Sequence, residues 1–216
     1  MLRCAIFDMD GTLLDTERLS VPAWVQAGRE YGYTVPGDFM LPLLGSSTAH
    51  ICETFLAAFG PDFPIEQVWK RRIQITRDFY ERNPVPLKSG ARELLAALKD
   101  MGVKLALATS THREIAQLEM EKAQLWEYFD VTVTGDMVSA GKPDPEIFLL
   151  ALRLADCGAR ESIVVEDSVN GTLAGAASGC RTILVPDLNR PDEATRAKAY
   201  RVLHSLDELI PLLPQL

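Results

Sequence analysis

The sequence predicts an α/β fold, a doubly wound parallel sheet with a helical segment inserted after the first strand. Three observations carry this reading. Four short apolar runs, Cys4 to Phe7, Leu105 to Ala108, Ile163 to Val165 and Thr182 to Val185, do not alternate apolar with polar residues. Continuous runs of that kind suit strands covered by helices on both faces. Helical patterns fall between the later runs, and from about Glu17 to Pro86 no convincing strand occurs.

Each element has a local reason. The first run leads into Asp8-Met9-Asp10-Gly11-Thr12, a strand breaking into a turn. Within the insert, helices are expected over Val21–Tyr31, Thr48–Phe59 and Ile65–Arg82, separated by breaks such as Val35-Pro36-Gly37 and Gly60-Pro61. Lys70, Arg71, Arg72, Arg77 and Arg82 make its last helix basic, read as a solvated face. Thr16–Glu17 and Asn83-Pro84-Val85-Pro86 are the expected connections, giving residues 1–16 and 87–216 as core and 17–86 as a separate helical unit.

Ala91, Leu94, Leu95, Leu98 and Met101 recur at helical spacing, with Gly102 as a stop. Thr111-His112-Arg113-Glu114 reads as a capping box opening the next helix. Val131 to Thr134 is a weaker fifth strand, and Asp144-Pro145 opens a helix with proline at its first position. Ala174, Ala176, Ala177 and Gly179 suggest a tightly packed helix ended by glycine.

Lys and Arg total 22 against 30 Asp and Glu, a net charge of −8. This disfavours a nucleic-acid polymer or an anionic membrane as partner, since both need basic surface. No stretch is long and apolar enough to span a bilayer, and no signal-peptide pattern is expected at the N-terminus. Cys4, Cys52, Cys157 and Cys180 form no C-x-x-C pair and read as free thiols of a reducing, cytoplasmic setting. With enough chain to bury its own surfaces, a monomer is expected.

The chemistry-bearing residues directly follow the strands. Asp8 and Asp10 stand two residues apart, so both lean into one space, where crowded carboxylates need a proton or a cation between them. Thr109 follows the second run, and Glu166-Asp167 the third. Lys142 lies in the loop Ser139-Ala140-Gly141-Lys142-Pro143. In open α/β sheets these strand ends meet at one edge. The three acids that directly follow strands, Asp8, Glu166 and Asp167, gathered there with a hydroxyl and a lysine, make a site for a metal and a phosphate.

Phe7-Asp8-Met9-Asp10-Gly11-Thr12, Thr109, Gly141-Lys142-Pro143 and Glu166-Asp167 resemble, in order, the four motifs of the haloacid dehalogenase-like superfamily. The continuation Leu14-Asp15-Thr16-Glu17 and the run Gly141 to Phe148 are similar to its β-phosphoglucomutase-like phosphatase subgroup. The resemblance implies a Rossmann-like core, a cap formed by the insert, and an Mg²⁺-dependent phosphatase acting on a small phosphomonoester such as a sugar phosphate or nucleoside monophosphate.

The same resemblance implies roles. Asp8 is the nucleophile that becomes an aspartyl-phosphate, and Asp10 the acid and base. Mg²⁺ is held by Asp8, the Asp10 backbone carbonyl and Asp167, with Glu166 behind them orienting water. Thr109 and Lys142 bind phosphoryl oxygens, and Ser110 is added as a phosphate contact or helix cap. Thr16 and Glu17 read as hinge and cap residues, and His112 as a surface helix residue. His50 and His204 have no metal-ligand spacing. Arg18, Ser46 and Ser47 are weaker substrate candidates. Two alternatives stand beside the phosphatase. One is a phosphomutase, although Gly45-Ser46-Ser47-Thr48-Ala49-His50 lacks the arginine that mutase relatives carry. The other is a non-catalytic phosphate-binding module.

Overall fold

The structure, a computed structural model, describes residues 1–46, 48–188 and 190–216. Six strands form one parallel sheet: β1 (Cys4–Phe7), β2 (Lys104–Ala108), β3 (Val131–Val133), β4 (Ser162–Glu166), β5 (Arg181–Leu184) and β6 (Arg201–Val202). Their order is β3-β2-β1-β4-β5-β6. The chain builds outward from β1 on one side, then returns to place β4 on the other. The crevice where the winding reverses therefore opens at the carboxyl end of β1, where ligands of such sheets bind.

The sheet is covered on both faces, which explains its unalternating strands. Ala5 and Phe7 of β1 join Leu105, Leu107, Ile163 and Val165 in one apolar cluster with α5 (Ala91–Asp100), α6 (Arg113–Lys122) and the C-terminal 3₁₀ segment Leu206–Gln215. Cys4 and Ile6 face the other way, with Ala106, Ala108 and Val164, onto α7 (Glu146–Ala155) and α8 (Val169–Ala177). A short α9 (Glu193–Arg196) precedes β6. The register puts Phe7 beside both Leu107 and Val165, so Asp8, Thr109 and Glu166 leave the sheet at nearly the same level.

Between β1 and α5 the described chain is helical: α1 (Glu17–Glu30), α2 (Gly37–Met40), α3 (Thr48–Phe59) and α4 (Ile65–Arg82). These helices enclose an apolar cluster of their own, including Trp24, Met40, Phe55, Phe63 and Val68. Phe55 stacks on Trp24 at 4.9 Å between ring centroids. None of the described helices is long and apolar enough to cross a membrane.

Several sequence expectations need correction. The capping box at Thr111 does not form: α6 starts at Arg113, with extended His112 at its N-cap and no side-chain cap bond. Helix α7 starts at Glu146, one residue after Pro145, and the Asp144 carboxylate accepts from the Glu146 amide at 2.9 Å. Helix α1 begins at Glu17 and carries Pro22 inside it, past the first turn, so the Arg18 carbonyl forgoes an intrahelical amide partner. Strand β6 was not expected. It has two residues, and its place is set by pairing with Ile183 and Leu184 rather than by its own pattern.

Candidate active site

Asp8 directly follows β1, and its amide donates to the Val165 carbonyl at 3.0 Å, which fixes it over the seam with β4. Lys142 comes from the loop before α7 and is fully buried at its side chain. Its ammonium donates to Asp8 Oδ1 at 2.5 Å, to Glu166 Oε1 at 2.6 Å and to the Ala108 carbonyl at 3.2 Å. A lysine has three donors, so all are used.

Glu166 is equally saturated. Its second oxygen accepts from the amides of Asp167 and Ser168 and from the Ser168 hydroxyl, at 2.9 to 3.0 Å. Glu166 thus ties Lys142 to the turn that carries Asp167. The packing leaves no room there: a Cβ on Gly171 would lie 1.8 Å from the Glu166 carboxyl. Asp167 accepts from Thr12 Oγ1 at 2.9 Å, and Gly11, at φ +80°, brings the β1 turn so close that its Cβ would sit 2.4 Å from Asp167 Oδ2.

Oxygens of Asp8, Glu166 and Asp167 lie within 4.8 Å of one another, all three residues buried. With both Glu166 oxygens taken, Asp8 and Asp167 are the carboxylates that keep an oxygen free of hydrogen bonds among the described residues. Burial, only partly offset by Lys142, pushes the Asp8 carboxyl up to about 8. Burial, then the fields of Glu17, Glu166 and Asp8, raises Asp167 well above the carboxylate range. Burial disfavours the charged form of Lys142, but the Asp8 and Glu166 carboxylates outweigh it and hold the ammonium protonated. One ammonium thus faces a crowd of buried acids, and a hard divalent cation on oxygen ligands fits that donor set and relieves its repulsion.

Asp10 lines the same cleft as Asp8. Its carboxylate is not part of the three-acid group: Oδ1 accepts from Thr16 at 2.6 Å and Oδ2 from Thr111 at 2.8 Å. Thr111, freed from the helix cap, is therefore an Asp10 partner. Thr109 is buried at the end of β2, its amide bonded to the Val133 carbonyl and its Oγ1 accepting from the Thr111 amide. Ser110 also lines the cleft, with its hydroxyl 3.4 Å from the Gly45 carbonyl.

The cleft, about 100 Å³, is closed on its far side by α1, by Met40, Leu43, Leu44 and Ser46, and by α4. Three of its residues depart from the sequence reading. Glu17 is buried, with Oε2 unpartnered, and burial followed by the fields of Asp10 and Asp187 raises its carboxyl strongly. His112 lines the cleft rather than the surface, its ring 5.8 Å from Trp69. Arg72 leaves the solvated face expected of α4 and donates to Ser20 Oγ at 2.5 Å. No sequence spacing marks these three; only the docking of α1 and α4 against the sheet edge does. Ser46 is buried in the cleft wall, whereas Arg18 pairs outside it with Asp15. Ser47 lies outside the described residues. His50 and His204 are exposed, and neither is among the residues lining the cleft.

Known proteins resemble this chain over most of its length. A family model described as haloacid dehalogenase-like hydrolase matches residues 5–185. A phosphorylated carbohydrates phosphatase of Thermotoga maritima is 32% identical over 211 residues, covering 96% of this chain and 88% of that protein. CbbY from Rhodobacter sphaeroides, solved in complex with phosphate, superposes with a TM-score of 0.84 at 29% identity, covering 97% of this chain and 96% of the other. A protein from Thermotoga maritima described as a putative beta-phosphoglucomutase superposes at 0.77 with 31% identity over the full length of both chains.

Proposed function

The chain belongs to the haloacid dehalogenase-like hydrolases, and from that premise we propose that it is an Mg²⁺-dependent phosphatase that cleaves a small phosphomonoester through an aspartyl-phosphate on Asp8. The observation that carries the reading is the convergence of Asp8, Lys142 and the adjacent pair Glu166-Asp167, from three separate segments, at the end of β1.

In this reading Asp8 attacks phosphorus, and the bond to the ester oxygen breaks as Asp10 gives that oxygen a proton. Asp10 then takes a proton from water, the water oxygen attacks phosphorus, and the bond to Asp8 breaks to release inorganic phosphate. Both Asp10 oxygens accept hydroxyl hydrogen bonds, so the carboxylate must turn from Thr16 or Thr111 to deliver a proton. Lys142 favours the ionised form of Asp8 against its burial, with the metal's charge needed to complete that effect, and exchanges its longest bond, to Ala108, for a phosphoryl oxygen. The Thr109 hydroxyl, which accepts from Thr111, has its own hydrogen available for another oxygen. Mg²⁺ would be held by Asp8, Asp167 and the Asp10 carbonyl, and would supply positive charge against the phosphoryl oxygens and the buried acids. Glu166 holds Lys142 and the Asp167 turn in place.

Residues 17–86 form the cap over this cleft, joined to a core of residues 1–16 and 87–216. The net charge of −8 supports a small diffusible ester rather than a nucleic-acid polymer as substrate. A monomer working in the cytoplasm completes the reading. The test is turnover of p-nitrophenyl phosphate with and without Mg²⁺. The wild type should release nitrophenol only with the metal, Asp8→Asn should be inert, and Asp10→Asn should fold yet lose about 10²- to 10⁴-fold in rate. Metal-independent turnover, or an active Asp8→Asn, would end this account. A phosphomutase is the second reading, favoured by the likeness to the Thermotoga maritima structure. It predicts glucose 6-phosphate from β-glucose 1-phosphate with little free phosphate.

A further inference from the structure

A cluster of two acids and two bases ties both chain crossings between the sheet and helices α1 to α4 to the loop after β5. Asp187, in that loop, has a side chain only 2% exposed. Its Oδ1 accepts from Lys88 Nζ at 2.7 Å and, more weakly, from Arg18 Nη2 at 3.5 Å. Its Oδ2 is buried and has no partner among the described residues. A carboxylate so removed from water depends on the cations beside it. Lys88, the nearer and less exposed of the two, supplies the stronger hold. Both cations belong to the crossings: Arg18 lies in the first turn of α1, and Lys88 follows Pro86-Leu87. The crossings are also bonded to each other. The Asp15 amide donates to the Pro86 carbonyl and the Lys88 amide to the Leu13 carbonyl, both at 2.9 Å. The Asp15 carboxylate accepts from Arg18 Nε on both oxygens at 3.0 Å and lies 3.6 Å from Lys88 Nζ.

Thr16 stands between Asp15 and Arg18. It is the N-cap residue of α1, yet it makes no side-chain cap bond. Its hydroxyl donates instead to Asp10 Oδ1 at 2.6 Å. We propose that Asp187 is a positioning residue for Asp10: by holding Lys88 and Arg18 it fixes residues 15–18, and so sets the place from which Thr16 holds the Asp10 carboxylate. Asp187 is not among the residues lining the cleft, so its effect reaches the reacting atoms only through this chain of contacts. The assignment rests on the phosphatase reading, in which Asp10 moves the protons. An ion cluster that served stability alone would act on folding, with no dependence on the Thr16 hydroxyl. A double-substitution cycle separates the two roles.

The test measures kcat and KM for p-nitrophenyl phosphate in the wild type, Asp187→Asn, Lys88→Met, Thr16→Val and the double variant Asp187→Asn with Thr16→Val. Hydrogen exchange of the substrate-free proteins is followed in peptides covering residues 11–19 and 84–90. Asp187→Asn and Lys88→Met should each lower kcat about tenfold and leave KM within about twofold, because the phosphate contacts remain. Once Thr16 is valine, Asp187→Asn should lower kcat by less than about twofold more, because the hydroxyl it positions is gone. Exchange in the two peptides should quicken in Asp187→Asn while β1 and β4 keep wild-type protection. An unchanged kcat in Asp187→Asn, or equal losses with and without the Thr16 hydroxyl, overturns the assignment and leaves the phosphatase standing. Unchanged exchange in both peptides overturns it whatever the turnover shows. If the wild type cleaves no ester, quickened exchange confined to those peptides keeps Asp187 as the clamp of the crossings while the phosphatase falls.

Discussion

Replacing Glu119 by glutamine should flatten the pH dependence of stability. Glu119 is on α6, buried, and faces a cavity beside Arg72 and Tyr80. Burial first, then the field of Asp10, pushes its carboxyl from 4.5 up to about 8, against the opposing pull of Arg72. The folded protein therefore keeps a proton that the unfolded chain releases above pH 4.5. Stability then falls as pH rises from about 4.5 to about 8 and levels off above that window. At about 1.36 kcal/mol per pKa unit, the deficit is roughly 1 kcal/mol at pH 5, at most about 3 at pH 7, and about 5 once the group is ionised in both states.

Glutamine keeps the shape and does not titrate, so Glu119→Gln lacks this slope. The variant should match the wild type near pH 4.5 and exceed it by up to roughly 3 kcal/mol at pH 7. For a chain of this length that is roughly 6–12 °C in melting temperature. The assay is urea denaturation of both proteins at half-unit steps from pH 4.5 to 8.5. A stability difference that stays constant across the window refutes the reasoning, because it places a charged, solvated Glu119 in the folded state.

Lys142→Met leaves Asp8, Glu166 and Asp167 without their buried ammonium, so it should cost about 3–5 kcal/mol at pH 7.5, as removal of one partner from a buried pair does. The deficit should grow from pH 6 to pH 9, across the range in which Asp8, raised to about 8, gives up its proton; denaturation curves at pH 6, 7.5 and 9 check both statements. Adding Mg²⁺ to metal-free protein should raise the melting temperature with a concentration dependence that reports its affinity. Asp167→Asn should abolish that rise, in an assay that needs no substrate, and a rise that survives the substitution would remove Asp167 from the ion's ligands.

The strands were readable because burial on both faces writes itself as unbroken apolar runs, from Cys4–Phe7 to Thr182–Val185. Helices α3 and α4 have the limits their apolar spacing and flanking Gly-Pro breaks indicate. The residues directly following strands were readable too, because sheet topology alone brings Asp8, Thr109 and Glu166-Asp167 together. What stayed hidden depends on packing between segments distant in sequence. Thr111 has the spacing of a cap, yet α6 begins later and its hydroxyl turns to Asp10. Arg72 sits among basic residues of which Arg71 and Arg77 pair at the surface, and only the angle of α4 separates it from them. Glu17 and His112 enter the cleft for the same reason. Strand β6 owes its existence to the exposed edge of β5.

The most direct test of the central claim, that Asp8 is the atom-transferring nucleophile, is to trap the acyl phosphate. Protein mixed briefly with substrate and Mg²⁺, quenched in acid and reduced with borohydride, should yield homoserine in place of aspartate at position 8 when the N-terminal peptide is weighed. Asp10→Asn, slow to hydrolyse the intermediate, should show a larger fraction. Substrate turnover with position 8 left as aspartate in both proteins, or reduction at another carboxylate, would contradict the account.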